Sequence, residues 1–130
     1  MRVVITGAAS GIGRAVAELL AAQDEPHQML LTDRGEEGVN AVAAAIGEGA
    51  RAHVGDLSSV DCGRDIVAAA VDHMGGIDGV VSNAGIISSA PLVEQTVDQF
   101  DRVYAINTRA SWLLGQAAHP HLAESRGAFV

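Results

Sequence analysis

The eight residues Thr6-Gly7-Ala8-Ala9-Ser10-Gly11-Ile12-Gly13 come directly after the apolar run Val3-Val4-Ile5. A buried strand that runs into glycines and opens at once into a helix has few folds available to it. The glycines permit a tight turn and let backbone approach a pyrophosphate, and the helix N-terminus offers free N–H groups to that anion. The chain therefore begins like a dinucleotide-binding βαβ unit. Taken alone the loop is a weak signal, since many turns are glycine-rich for backbone reasons only. Residues further along the chain give it specificity.

Beyond the loop, short β-branched runs alternate with stretches of helical period, as expected of βαβ units. The first strand covers about residues 2–6. Ile12, Ala15, Val16, Leu19 and Leu20 then recur on what reads as one buried helix face. Met29 to Thr32 is the second strand, followed by the stripe Val39, Val42, Ala43 and Ile46. Ala52 to Val54 is the third, after which Ser58 and Asp61 have the spacing of a capping box that opens a helix to about Met74. Gly75-Gly76 ends that helix and Ile77 to Ser82 is the fourth strand. Thr96 and Gln99 repeat the capping pattern before one long helix, which the sequence predicts to stop at Pro120. Ala128-Phe129-Val130 reads as the opening of a fifth strand, so the expectation is a natural domain cut there. The predicted architecture is a Rossmann-like, doubly wound parallel sheet, order 3-2-1-4, forming one dinucleotide-binding domain over 1–130.

Composition agrees and limits the function. Apolar residues are 48% of the chain but aromatics only 3%, so the core must be built from Ala, Val, Ile and Leu. A net charge of −8 speaks against nucleic acid as a partner, though backbone amides can hold one anionic cofactor without a basic patch. Cys62 is the only cysteine, which leaves no disulfide framework, and the His119-Pro120-His121 pair has no third metal ligand in register. No apolar run is long enough for a bilayer and none resembles a leader, so a cytoplasmic protein without a membrane partner is expected.

Four features after the loop fall at the carboxyl ends of strands or just beyond, where open α/β sheets bind ligands. Asp33 closes the second strand, Asp56-Leu57 follow the third, Asn83-Ala84-Gly85 follow the fourth, and Asn107 lies on the long helix. With the Thr-Gly-x-x-x-Gly-x-Gly loop, these residues resemble, in order and spacing, the short-chain dehydrogenase/reductase family over essentially the whole chain. The resemblance implies that amides around Ser10, Gly11, Ile12 and Gly13 receive the pyrophosphate, with Gly7 shaping the turn. Asp33 would bind the adenosine ribose and Arg34 would stack beside adenine. Asp56 would meet the adenine amino group, with Leu57 beside the ring. Asn83, Ala84 and Gly85 would line the cofactor, and Asn107 matches the family's catalytic asparagine, which supports a proton relay. The implied cofactor is NAD, with NADP disfavoured by the Asp33 charge. An alcohol or carbonyl small molecule would be the substrate, and relatives of this kind pair as homo-oligomers.

One absence sets a limit. All eight basic residues are arginine, and the only tyrosine, Tyr104, is followed four positions later by Thr108. The family's serine and Tyr-x-x-x-Lys pair are therefore missing, and no lysine exists to lower a tyrosine pKa. The 130 residues read as the cofactor half of an oxidoreductase, inactive by themselves. A non-catalytic dinucleotide-binding module and a self-associating fragment are the two alternatives. A P-loop phosphotransferase is excluded, because no Gly-Lys-Ser/Thr follows the glycines.

Overall fold

In the computed structural model, which describes residues 1–130, the run Val3-Val4-Ile5 forms the centre of β1 (Arg2–Thr6). All three residues are buried, because both faces of the strand are covered. β1 pairs in parallel with β2 (Gln28–Asp33) on one side and β4 (Gly79–Val81) on the other. β3 (Ala50–Val54) lies outside β2, and β5 (Ala128–Phe129) lies outside β4. The order is 3-2-1-4-5, all parallel, so the chain reverses its winding at β1 and opens a crevice between β1 and β4 at their carboxyl ends.

Alternation along the strands divides the core into two layers. Val3, Ile5, Met29 and Leu31 point to α1 (Gly11–Ala21) and α2 (Glu36–Ile46), where Ala17, Val39, Val42 and Ala43 complete the layer. Val4, Leu30 and Val80 point the other way, to α3 (Cys62–Met74) and α5 (Ala110–Ser125), against Ile66, Ala70, Leu114 and Ala118. Burying each large aliphatic side chain contributes about 1.5–3 kcal/mol, enough for small side chains to hold the sandwich without aromatics. The α3–α5 crossing is close: a Cβ on Gly63 would overlap the Leu113 carbonyl. No helix is long and apolar enough to cross a membrane.

Four local expectations are corrected. The buried face of α1 is Gly13 and Ala17, flanked by half-buried Val16 and Leu20, whereas Ile12 and Leu19 are 73% and 65% exposed. The helix sits so near β1 that only its small side chains fit beneath it. Ser58 and Asp61 form no capping box. The Ser58 amide and hydroxyl both donate to Asp56 instead, and α3 begins at Cys62. The long helix is not continuous: α4 (Val97–Tyr104) passes through a π-helical turn, Ala105–Arg109, before α5. Nor does Pro120 end it. α5 runs to Ser125, because Leu114, Ala118 and Leu122 pack against the core and outweigh one lost backbone hydrogen bond. The second capping box is present, with Thr96 Oγ1 accepting from Gln99 N at 3.2 Å and Gln99 Oε1 from Thr96 N at 2.9 Å.

Candidate functional site

The crevice at the switch point is a cleft of about 300 Å³, lined by residues from four strand ends and the π turn. Gly7, Ser10, Asp33, Arg34, Asp56, Leu57, Asn83, Ala84 and Gly85 all line it, so residues up to 78 positions apart in sequence meet there. Gly55, Ile86 and Ile106 complete the wall. Gly11, Ile12 and Gly13 are at its edge as the first turn of α1, outside the lining itself.

The two strand ends are fastened to each other. The Asn83 Nδ2 donates to the Thr6 carbonyl at 3.0 Å, and the Ala84 amide donates to Thr6 Oγ1 at 3.0 Å. Gly7 bends away at φ +69°, and a Cβ there would come within 2.9 Å of the Ala84 Cα. Gly13 is the matching contact from the helix, since a Cβ on it would collide with the Gly7 carbonyl. Gly11 is different. Its φ of +56° needs glycine, yet a Cβ would meet nothing within 4 Å, so its flank is open. Ser10 caps α1 with extended backbone and gives no side-chain bond, which leaves the first-turn N–H groups directed outward at the cleft rim. Backbone amides, glycine clearance and a helix N-terminus together make a cradle that fits a pyrophosphate without any cationic side chain.

Asp33 ends β2 with both carboxylate oxygens anchored: Oδ2 accepts from the Ala9 amide at 3.1 Å and Oδ1 from the Gly35 amide at 3.0 Å. Its position is therefore fixed beside the glycine loop, with lone pairs to spare for further donors. Arg34 follows it on the cleft wall. Asp56 is exposed, and the Ser58 amide and hydroxyl, then the Arg102 and Arg34 charges, hold its carboxyl below the usual range. The site thus carries two carboxyl side chains, Asp33 and Asp56, at the β2 and β3 ends. Below them His53 Nδ1 pairs with Thr32 Oγ1 at 3.0 Å, and burial lowers its pKa.

Asn107 is in the π turn, where its side-chain amide closes on one peptide. Its Oδ1 accepts from Ile86 N and its Nδ2 donates to Ile86 O, both at 2.9 Å. One helical turn later Ser111 Oγ pairs with Ser82 Oγ at 2.8 Å, so the strand-four exit is held at two points. Sequence reading missed Thr6 as a fastening group, although it stands in the motif. It also missed Ile86 and Ile106, which carry no chemical signature.

A model of the short chain dehydrogenase family matches residues 1–130. The chain belongs to the short-chain dehydrogenase family. Sorbitol dehydrogenase of Cereibacter sphaeroides is 40% identical over 128 residues, covering 95% of this chain and 48% of the relative. Among solved structures, a glucose/ribitol dehydrogenase of this family from Brucella melitensis superposes with a TM-score of 0.85 at 37% identity, covering 98% of this chain and 57% of that one. A short-chain dehydrogenase of Burkholderia cenocepacia, solved in complex with NADP, gives a TM-score of 0.86 at 34% identity, covering 92% and 50%. This short-chain dehydrogenase chain spans about half the length of the curated relatives it matches.

Proposed function

We propose that residues 1–130 form the dinucleotide-binding domain of an oxidoreductase that moves hydride between nicotinamide and an alcohol or carbonyl group. The observation that carries this reading is the joint between Thr6-Gly7 and Asn83-Ala84, which opens the first turn of α1 toward a cleft at the switch point. The bound nicotinamide supplies the hydride chemistry. The chain's own residues bind and orient. Amides of Ser10, Gly11, Ile12 and Gly13 receive the pyrophosphate, and Gly7 keeps the turn close enough to do so. Asp33 accepts from the adenosine ribose, Arg34 and Leu57 flank adenine, and Asp56 accepts from its amino group. Asn83, Ala84 and Gly85 line the nicotinamide side, and Asn107 holds the Ile86 peptide beside them. The reading carries with it a small-molecule substrate, a cytoplasmic setting and association with copies of the same chain.

NAD is favoured over NADP. Asp33 is anchored by two amides, so its charge cannot withdraw from a 2′-phosphate. A charge-assisted hydrogen bond to the ribose contributes about 1.5–3 kcal/mol, and its loss beside a repelling phosphate should cost at least about tenfold in affinity. Arg34 blunts the penalty without removing it, since a neighbouring guanidinium can turn to a phosphate. Dissociation constants for NAD and NADP on the chain and on Asp33→Ser test the assignment. NAD should bind about tenfold tighter, and the substitution should close the gap. Equal affinities in the unmutated chain would remove Asp33 as the selector.

A second reading, a dinucleotide-binding module without turnover, is favoured by one fact: the chain contains no lysine to activate a tyrosine. Turnover by a protein that joins these residues to a Tyr-x-x-x-Lys segment decides between the two: the first reading expects it and the second does not.

A further inference from the structure

The π turn that carries Asn107 also carries Arg109, whose side chain reaches the opposite wall of the cleft. Arg109 is half-buried, and its Nη2 donates to the Ser58 carbonyl at 2.6 Å across 51 residues of sequence. Its Nε is fully buried with no acceptor. A guanidinium has five donors, and one left idle in the interior makes a poor device for stability alone. What it holds is more informative than what it leaves unmade. Ser58 is the residue whose amide and hydroxyl grip Asp56, at 2.9 and 2.8 Å. The Ser59 amide closes the same turn on the Asp56 carbonyl at 3.1 Å, and Leu57 between them packs against the α3/α5 layer. Arg109 thus pulls from one end on a turn whose other end presents Asp56 and Leu57 to the cleft.

We propose that Arg109 is a positioning residue for the Asp56–Ser58 wall, so that the π turn sets both sides of the cleft, Ile86 through Asn107 and the adenine side through Arg109. This rests on the dinucleotide reading for what the wall contacts, but the placement of the turn stands on the hydrogen bonds alone. A single turn of backbone then fixes the spacing between the two walls that a dinucleotide must bridge.

Arg109→Met keeps the length and apolar stem but removes every donor, and Arg109→Lys restores one charged donor. Two measurements on the 130-residue chain decide the matter. Amide hydrogen exchange at Ser58 and Ser59 should accelerate at least about tenfold in Arg109→Met while amides of the β1–β2 ladder keep their rates, and Arg109→Lys should recover most of the protection. Adenosine monophosphate affinity should fall by about tenfold in Arg109→Met, with nicotinamide mononucleotide affinity unchanged. Uniform acceleration across all strands, or no change at Ser58 and Ser59, would overturn the proposal. So would equal losses for the two mononucleotides. If the unmutated chain binds neither mononucleotide, the dinucleotide reading fails instead, and exchange at the turn still decides whether Arg109 positions it.

Discussion

Replacing Gly13 by alanine tests the joint at the centre of the cleft. The new Cβ would lie 2.7 Å from Asn83 Nδ2 and 2.9 Å from the Gly7 carbonyl carbon, and closer still to the Gly7 oxygen. Comfortable contact needs about 3.5 Å, so something must give by roughly 1 Å at the Gly7 oxygen. The obstacles are not free to move. Gly7 is tied through its amide to the Thr32 carbonyl at 2.9 Å, and the Asn83 amide is tied to Thr6 at 3.0 Å. The remaining route is for α1 to lift from the sheet over Ala17. Overpacking of this kind costs about 1–3 kcal/mol. Alanine regains at most about 1 kcal/mol of helix propensity, and less in a first turn. The net loss should be about 1–2 kcal/mol, a fall in Tm of roughly 3–8 °C for a domain of this size. Urea denaturation at low micromolar concentration reads it as a lower midpoint with an unchanged slope. Gly11→Asn is the control. That position has φ +56° but open space around it, and asparagine tolerates the left-handed region, so its midpoint should move by no more than about 0.5 kcal/mol. A Gly13→Ala chain as stable as the parent, or more so, would refute the close-contact argument.

Asn107→Ala leaves the Ile86 N–H and C=O without partners, so it should cost about 1–2 kcal/mol in denaturation and speed limited proteolysis within residues 86–96. An unchanged cleavage pattern there would remove Asn107 from that role. The purified chain should turn over no alcohol or ketone with a nicotinamide cofactor, since it contains no lysine; turnover that survives repurification and is abolished by Gly13→Asp would contradict this. Burial lowers the folded-state pKa of His53 below 6.5, so between that value and 6.5 the unfolded chain binds more protons. Stability should therefore hold above about pH 6.5 and fall as pH drops through 6.5 toward the folded pKa. His53→Gln should flatten this slope in pH-dependent denaturation, leaving only the part due to His73, whose pKa burial also lowers.

The sheet order and the assembly of the cleft were legible because they depend on features that a sequence states directly. Short apolar runs mark β1, β2 and β4, glycines mark the turn at Gly7, and acidic or amide residues stand at strand ends or just past them. Thr96 and Gln99 were legible for the same reason, since a capping box uses neighbours only. Failures came where a distant element outweighed the local pattern. Ser58 could accept as a helix cap or donate into a local turn, and donation to Asp56 won. α1 offered a large apolar stripe and a small one, and proximity of the sheet selected Gly13 and Ala17. At Pro120 the tertiary packing of Leu114 and Ala118 kept a helix going that local rules would end. The π turn and Arg109 gave no signal, because an extra residue in a helical turn and a bond to a backbone carbonyl leave no mark on composition.

The two core layers have a consequence for how this chain can vary. Val3 and Val4 are adjacent, yet one belongs with Met29, Leu31 and Val39, and the other with Leu30, Ile66 and Leu114. The sheet acts as a partition, so changes of volume on opposite sides should add independently, while changes within one side should show strong coupling. Sequence neighbours in β1 are thus energetic strangers, and their partners lie dozens of residues away. One layer can be rebuilt through successive compensating substitutions while the other stays untouched. Drift in either layer reaches the cleft only through the backbones of β1, β2 and β4, the strands both share.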